Sequence, residues 1–225
     1  MNPQNPLWDC AGWFGKIPSH GDFLTRRLPA SFVEPWDQWL SDELYEARSG
    51  LGERWRAAYE AAPIRCFSLG RDVLDDRVWY GLLAPSADRV GRQFPLTLAL
   101  SPALPAAPPL AWEWWDALVN AARRGLAPHG TADGLDHALA DFVSRQTEYP
   151  HDHREPTHLA VAGREPVPEG DSGHGHRHLP PATIKDRSSA WWSWAPEEPT
   201  ATVPLIFDGL PRGRGFLQLL AAGEI

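Results

Sequence analysis

The stretch Ile64-Arg-Cys-Phe-Ser-Leu-Gly-Arg-Asp-Val-Leu-Asp-Asp-Arg-Val-Trp-Tyr-Gly-Leu-Leu-Ala-Pro-Ser-Ala-Asp-Arg-Val-Gly-Arg-Gln-Phe-Pro-Leu-Thr-Leu-Ala-Leu100 contains three β-like runs: Ile64 to Leu69, Val78 to Ala84, and Pro95 to Leu100. Each run is apolar and bounded by turn formers, the pattern of a strand held inside a sheet. The first connection opens on Gly70-Arg-Asp72 and is short enough for a hairpin, so antiparallel pairing is expected there. The second, Pro85 to Arg92, is long enough for a helical turn.

On the N-terminal side, Ala11 to Lys16 reads as a short strand, broken by Pro18 and Gly21. A helix follows. Ser31 with Glu34 matches a capping box, and Pro35 is tolerated only in a first turn, so the helix is expected to begin at Ser31 or a few residues later. Trp36, Leu40, Leu44, Ala47 and Leu51 fall at three- and four-residue spacing and make one apolar face. The helix is expected to continue through Trp55 and Tyr59, past a weak point at Gly50 and Gly52, until Pro63 stops it.

On the C-terminal side, a Pro/Ala-rich link, Ser101 to Pro109, leads into an amphipathic helix from about Ala111 to Gly125, with Trp112, Trp115, Leu118, Val119 and Ala122 on one face. A further helix is expected over Asp133 to Ser144, carrying Leu135, Leu139, Phe142 and Val143. Tyr149 to Ala182 is rich in Pro, Gly, His and charge; apart from a candidate strand at His158 to Ala162 it reads as a mobile surface loop. Ser188 to Trp194 and Val203 to Phe207 are strand-like, and a last helix runs from about Gly213 to Ala222. The whole predicts one domain over residues 1–225 of α/β class: a three-layer sandwich with helices on both faces of a mixed, largely antiparallel sheet.

Composition narrows the function. A formal charge of −8 and a pI near 5.5 leave no global footprint for nucleic acid, and neither a secretory signal nor a long apolar run is present. Cys10 and Cys66 form no metal or redox pattern, which points to a reducing cytoplasm. Twelve tryptophans exceed what a core of this size requires. Trp and Arg are also the residues that concentrate at interface centres.

Three constellations bear on chemistry. Ser19, His20 and Asp22 supply the residue types of a hydrolytic triad, but triad members come from separated segments, and Ser19 lacks a Gly-x-Ser-x-Gly elbow. Their ordinary role is to bond nearby amides around a glycine turn. The histidines at His151, His153, His174, His176 and His178 have metal-ligand spacing, yet they fall in the expected loop without cysteines or a His-Glu-x-x-His helix. Asp88 beside Arg89 and Arg92, with Gly91 to turn the chain, favours structural ion pairing over anion binding, since no Walker or dinucleotide fingerprint accompanies it. No cofactor or resident metal is expected.

Several segments together resemble the TagF family of type VI secretion system-associated proteins. They are Gly15-Lys-Ile-Pro-Ser-His-Gly-Asp-Phe23, Leu28-Pro-Ala-Ser-Phe-Val-Glu-Pro-Trp-Asp-Gln-Trp-Leu40, Leu51-Gly52, and Pro85-Ser-Ala-Asp-Arg-Val-Gly-Arg-Gln-Phe-Pro-Leu96. The likeness is dense to about Leu100 and thins afterwards to Ser189-Ala-Trp-Trp192 and Gly209-Leu-Pro211. The resemblance implies an α/β sandwich and a cytoplasmic bacterial protein that represses type VI secretion after translation. It further implies action without catalysis, by binding the forkhead-associated scaffold protein Fha. The expected partner surface comprises Lys16, Ser19, His20, Asp22, Arg26, Arg27, Trp36, Asp88, Arg89 and Arg92, because loops stiffened by Pro and Gly lose little entropy on docking. The competing class is a hydrolase or metal-dependent enzyme built on Ser19, His20 and Asp22 or on the histidine clusters.

Overall fold

All residues of Arg65–Leu69 (β3), Trp79–Ala84 (β4) and Leu96–Leu100 (β5) are buried, so alternation between a wet and a dry face is absent and both faces of these strands are covered. They form the centre of a seven-stranded sheet completed by Gly12–Gly15 (β1), Leu24–Arg26 (β2), Ser188–Ser193 (β6) and Leu205–Asp208 (β7). The spatial order is β2-β1-β5-β4-β3-β6-β7. The structure, a computed structural model, describes residues 11–101, 112–148, 184–194 and 203–221. The expected loop at 149–182, its candidate strand and its five clustered histidines lie outside these residues, as do Cys10 and most of the 101–109 link.

The helices are Ala30–Leu51 (α1), Trp55–Glu60 (α2), Trp112–Leu126 (α3), Ala132–Glu148 (α4) and Arg214–Leu220 (α5), with a 3₁₀ turn at Gly52–Arg54 between the first two. Two apolar clusters result. On one face, Trp114, Trp115, Leu118, Val119 and Leu135 pack against Trp13, Cys66, Leu82 and Leu98. On the other, Phe32, Trp36, Trp39, Tyr59 and Phe216 pack against Phe67, Leu83 and Trp191.

The expected three-layer α/β sandwich on a mixed sheet is corrected. Every adjacent pair of strands, from β1–β2 through β6–β7, runs antiparallel. Helices cover the central strands, but α2 and α5 have only six and seven residues, and the edge strands expose Thr25, Arg26, Ile206 and Asp208. One large antiparallel sheet therefore organises the molecule, without a clear helix–sheet–helix layering. The physical reason lies in the connections: β1–β2, β3–β4 and β4–β5 are joined by loops that double the chain back, and a parallel pair would need a long crossover. The 85–95 connection holds no helical turn; an Ala87–Gln93 bridge closes it.

The start of α1 also differs from expectation. Its N-cap is Pro29, no side chain caps it, and Ser31 instead donates its hydroxyl to Asp75 Oδ2 at 3.0 Å. Pro35 lies inside the helix.

The tryptophan surplus goes to the core. All ten tryptophans whose side chains are described are buried, none more than 8% exposed. Buried indoles need acceptors, and here these tie distant segments together. Trp36 donates to Thr97 Oγ1 (2.9 Å), Trp39 to the Pro211 carbonyl (2.9 Å) and Trp55 to Gln93 Oε1 (2.7 Å), whereas Trp79 bonds locally, to Asp75 Oδ1 (2.9 Å). The turn at Gly209-Leu-Pro211 is held further by Glu43, whose Oε2 accepts the Gly213 N–H at 2.7 Å.

Candidate functional site

Strand β1 ends at Gly15 for a steric reason. Its φ is 129°, and a Cβ there would sit 2.1 Å from the Pro95 carbonyl oxygen, so only glycine fits. The chain then carries Lys16 and Ile17 inward before turning at Pro18 and Ser19, where the His20 N–H donates to Ile17 O at 3.1 Å. Phe23, at the return into β2, stacks on Phe14 (5.9 Å between ring centroids) and meets Phe94 edge-on at 4.7 Å.

The loop between β4 and β5 lies against this turn, and the two hold each other. Ser86 Oγ donates to Lys16 O at 2.7 Å, and the Arg89 N–H donates to His20 O at 2.8 Å. Arg92 donates a guanidinium N–H to Gly21 O. Beneath them Lys16 Nζ meets Asp88 Oδ2 at 3.0 Å, the two side chains being 7% and 0% exposed. Arg92 Nε donates to the same oxygen at 2.6 Å, while Asp88 Oδ1 accepts the N–H groups of Val90 (3.0 Å) and Arg92 (2.9 Å). Burial alone pushes the Asp88 carboxyl up. The donors from the Arg92 backbone, Lys16, the Arg92 guanidinium and Val90 outweigh it and hold the group well below the usual carboxylate range.

Tyr59 of α2 secures the base of this double loop: its hydroxyl donates to Ser86 O at 2.9 Å and accepts the Ser86 N–H at 3.2 Å. Gly91, at φ 84°, completes the turn that lets Asp88 face its own downstream amides. The expected ion pair of Asp88 therefore forms with Arg92 and with Lys16, not with Arg89.

The ten expected surface residues separate into three groups. Lys16, Asp88 and Trp36 are buried and build the support; Trp36, with no exposed area, offers nothing to a partner, because it sits on the same apolar stripe as Leu40 and Leu44. Ser19, His20, Asp22, Arg89 and Arg92 gather at the double loop, the last three exposed. Arg26 and Arg27 lie at the far end of the β1–β2 hairpin and are engaged within the chain. Arg26 pairs with Asp136 (2.8 Å) and Asp133 (3.2 Å), and Arg27 with Asp136 (2.8 Å) and the Ala11 carbonyl (2.7 Å). Trp13 donates its indole N–H to Asp136 at 2.8 Å, so this cluster fastens α4 to the hairpin.

The triad residue types do not assemble as a triad. Ser19 Oγ and His20 Nδ1 lie 3.0 Å apart, but Asp22 Oδ1 accepts the N–H of Phe23. Among the described residues no group of three His, Cys, Asp or Glu side chains is gathered to hold a metal ion. Nor does any described helix have the length and apolar character to cross a membrane.

Sequence reasoning missed Tyr59 and Ser86 as loop anchors, and Phe23 and Val90 as surface groups. Phe23 is 42% and Val90 69% exposed, both on the double loop. An apolar residue inside an otherwise polar turn was the available signal.

Comparison with known proteins bears on these segments. The sequence model of the TagF N-terminal domain, described as type VI secretion system-associated, matches residues 12–142, more than half of the 225. The crystal structure of PA0076 from Pseudomonas aeruginosa PAO1 is similar to this chain with a TM-score of 0.66 and 26% sequence identity, over 96% of each chain. No curated protein matches by sequence.

Proposed function

We propose that this protein is a non-enzymatic brake on type VI secretion, from a plain premise: the chain belongs to the TagF family of type VI secretion-associated proteins. It acts in the cytoplasm, after translation, by binding and sequestering the forkhead-associated scaffold protein Fha. One observation carries the reading. The two loops richest in family signature are locked into a single body by the buried Lys16–Asp88 pair, and they present Phe23, Arg89 and Val90 outward on it.

A surface prepared in this way loses little conformational entropy on docking. It also combines the two side-chain types that dominate interface energies, an aromatic ring and an arginine. Lys16 and Asp88 set its shape from beneath, and Ser19, His20, Asp22, Arg89 and Arg92 meet the partner. Arg26 and Arg27 serve the same surface by fixing the hairpin on α4.

The test is a pull-down from a type VI-positive lysate with the tagged chain, probed for Fha, together with secretion in a deletion strain. Recovery of Fha by the wild-type chain, its loss with Arg89→Glu, and raised secretion on deletion are expected. Failure to recover Fha would sink the partner assignment, and lowered secretion on deletion would make the protein a structural subunit of the apparatus instead.

A further inference from the structure

The 85–93 loop is also one wall of an open groove of about 690 Å³, whose other wall is the end of α1 and helix α2. Its size falls in the range of ligand-binding clefts, about 300–1,000 Å³. Trp55 and Tyr59 line it. Their rings lie 5.1 Å apart, their polar atoms are satisfied by Gln93 and Ser86, and the two residues are only 6% and 2% exposed, so they form a packed floor beneath the groove. Val90 makes an exposed apolar lip.

The charged groups along the groove are Arg48, Arg56 and Glu60. Arg56 Nε donates to Glu60 Oε1 at 2.8 Å. Among the described residues, the two terminal nitrogens of Arg56 and the whole guanidinium of Arg48 have no partner. A locally positive groove with an aromatic lining thus stands on a chain whose net charge is −8.

We propose that this groove binds an extended acidic segment of a partner protein. The segment's carboxylates meet Arg48 and Arg56, and one apolar side chain rests against the exposed Val90 at the lip. Arginine pairs carboxylates through two parallel donors, which favours an acidic peptide over a neutral one. An open groove with an apolar anchor point suits extended chain. The inference deepens the proposed binding role and rests on it only for the identity of the partner.

The experiment uses the purified full chain and two fluorescein-labelled nonapeptides, one of Asp and Glu around a central leucine and one with Lys at every acidic position. Fluorescence anisotropy should show binding of the acidic peptide alone. Affinity should fall at least about tenfold in Arg48→Glu/Arg56→Glu and in Val90→Asp, with the urea unfolding midpoint of each variant unchanged, as for other exposed positions. Equal binding of the two peptides, or acidic-peptide affinity unchanged in these variants, overturns the inference. Self-association abolished by the same substitutions also overturns it and assigns the groove to a second copy. If the acidic peptide obeys the arginines while wild-type protein ignores purified Fha, the groove stands and the Fha assignment falls. If Fha binds but the peptide result fails, the reverse holds.

Discussion

Replacing Asp88 with alanine should be among the costliest changes this protein can suffer in a loop. The carboxylate accepts four hydrogen bonds, from Lys16 Nζ, Arg92 Nε and the amides of Val90 and Arg92. Its loss strands Lys16, whose side chain is 7% exposed, without a counter-charge. Arg92 is 62% exposed and returns to water, so its share is small. Breaking one side of a buried pair costs about 3–5 kcal/mol. At this chain length each kcal/mol moves the melting temperature by about 2–4 °C, so Asp88→Ala should melt about 6–20 °C lower. Lys16→Met alone should cost less, because Asp88 keeps Arg92 and both amides. Lys16→Met/Asp88→Ala should then be no less stable than Asp88→Ala, giving a coupling of about 1–3 kcal/mol. Urea unfolding followed by tryptophan fluorescence at pH 7 measures all four corners of the cycle. An Asp88→Ala cost under about 1 kcal/mol, or strict additivity in the double variant, would refute the claim that this pair fastens the double loop.

Asp88 and Asp136 are both held below the usual carboxylate range against the upward push of burial, Asp136 by Trp13, Arg27 and Arg26. The unfolded chain therefore takes up protons first, near pH 3.9, and the stability these groups supply is full above that value and lost as pH falls through their folded values. The urea midpoint should drop steeply from about pH 5 downward, and Asp88→Asn should flatten the drop; an identical slope would contradict the assignment. Arg65, buried under the last turn of α5, donates to the carbonyls of Gln218, Leu219 and Ala221. Arg65→Met should cost about 2–4 kcal/mol and speed amide exchange across Arg214–Leu220, with unchanged exchange telling against the capping role. Gly81→Ala would place a Cβ 2.2 Å from Leu98 O and 2.6 Å from the Phe67 ring, so a loss of at least about 1–3 kcal/mol is expected in the same urea assay. Arg26→Ala, at an exposed pair, should lower stability by no more than about 1 kcal/mol, and a larger loss would mean the α4 cluster carries more than surface ion pairs do.

What could be seen in the sequence depended on whether the partner of a residue was local. The apolar runs of β3, β4 and β5 announced buried strands, and the stripe from Trp36 through Ala47 announced the face of α1. That stripe already marked Trp36 as core, although its indole also suited an interface. Strand direction was legible at the short β3–β4 connection, where the expected antiparallel pair forms, but not across the longer ones, because an apolar run says nothing about which neighbour it pairs with; hence the expected mixed sheet where all pairs are antiparallel. Asp88 and Arg92 are four residues apart and could be paired on spacing, whereas Lys16 is 72 residues from Asp88. The arginine pair looked like free surface because its carboxylates, Asp133 and Asp136, lie more than 100 residues downstream. Ser31 fitted a capping box by spacing, and Asp75, brought close by the fold, took its hydroxyl instead.

The most direct test of the central claim is calorimetric titration of purified Fha scaffold protein into the purified chain, wild type against Arg89→Glu. Arg89 is exposed and ties the double loop only through its backbone N–H, so the substitution leaves the fold intact. Saturable binding by the wild-type chain, weakened at least about tenfold in the variant, is the predicted result, since a central interface arginine is worth about 2 kcal/mol or more. No heat with the wild-type chain, or equal affinity for both proteins, would contradict it.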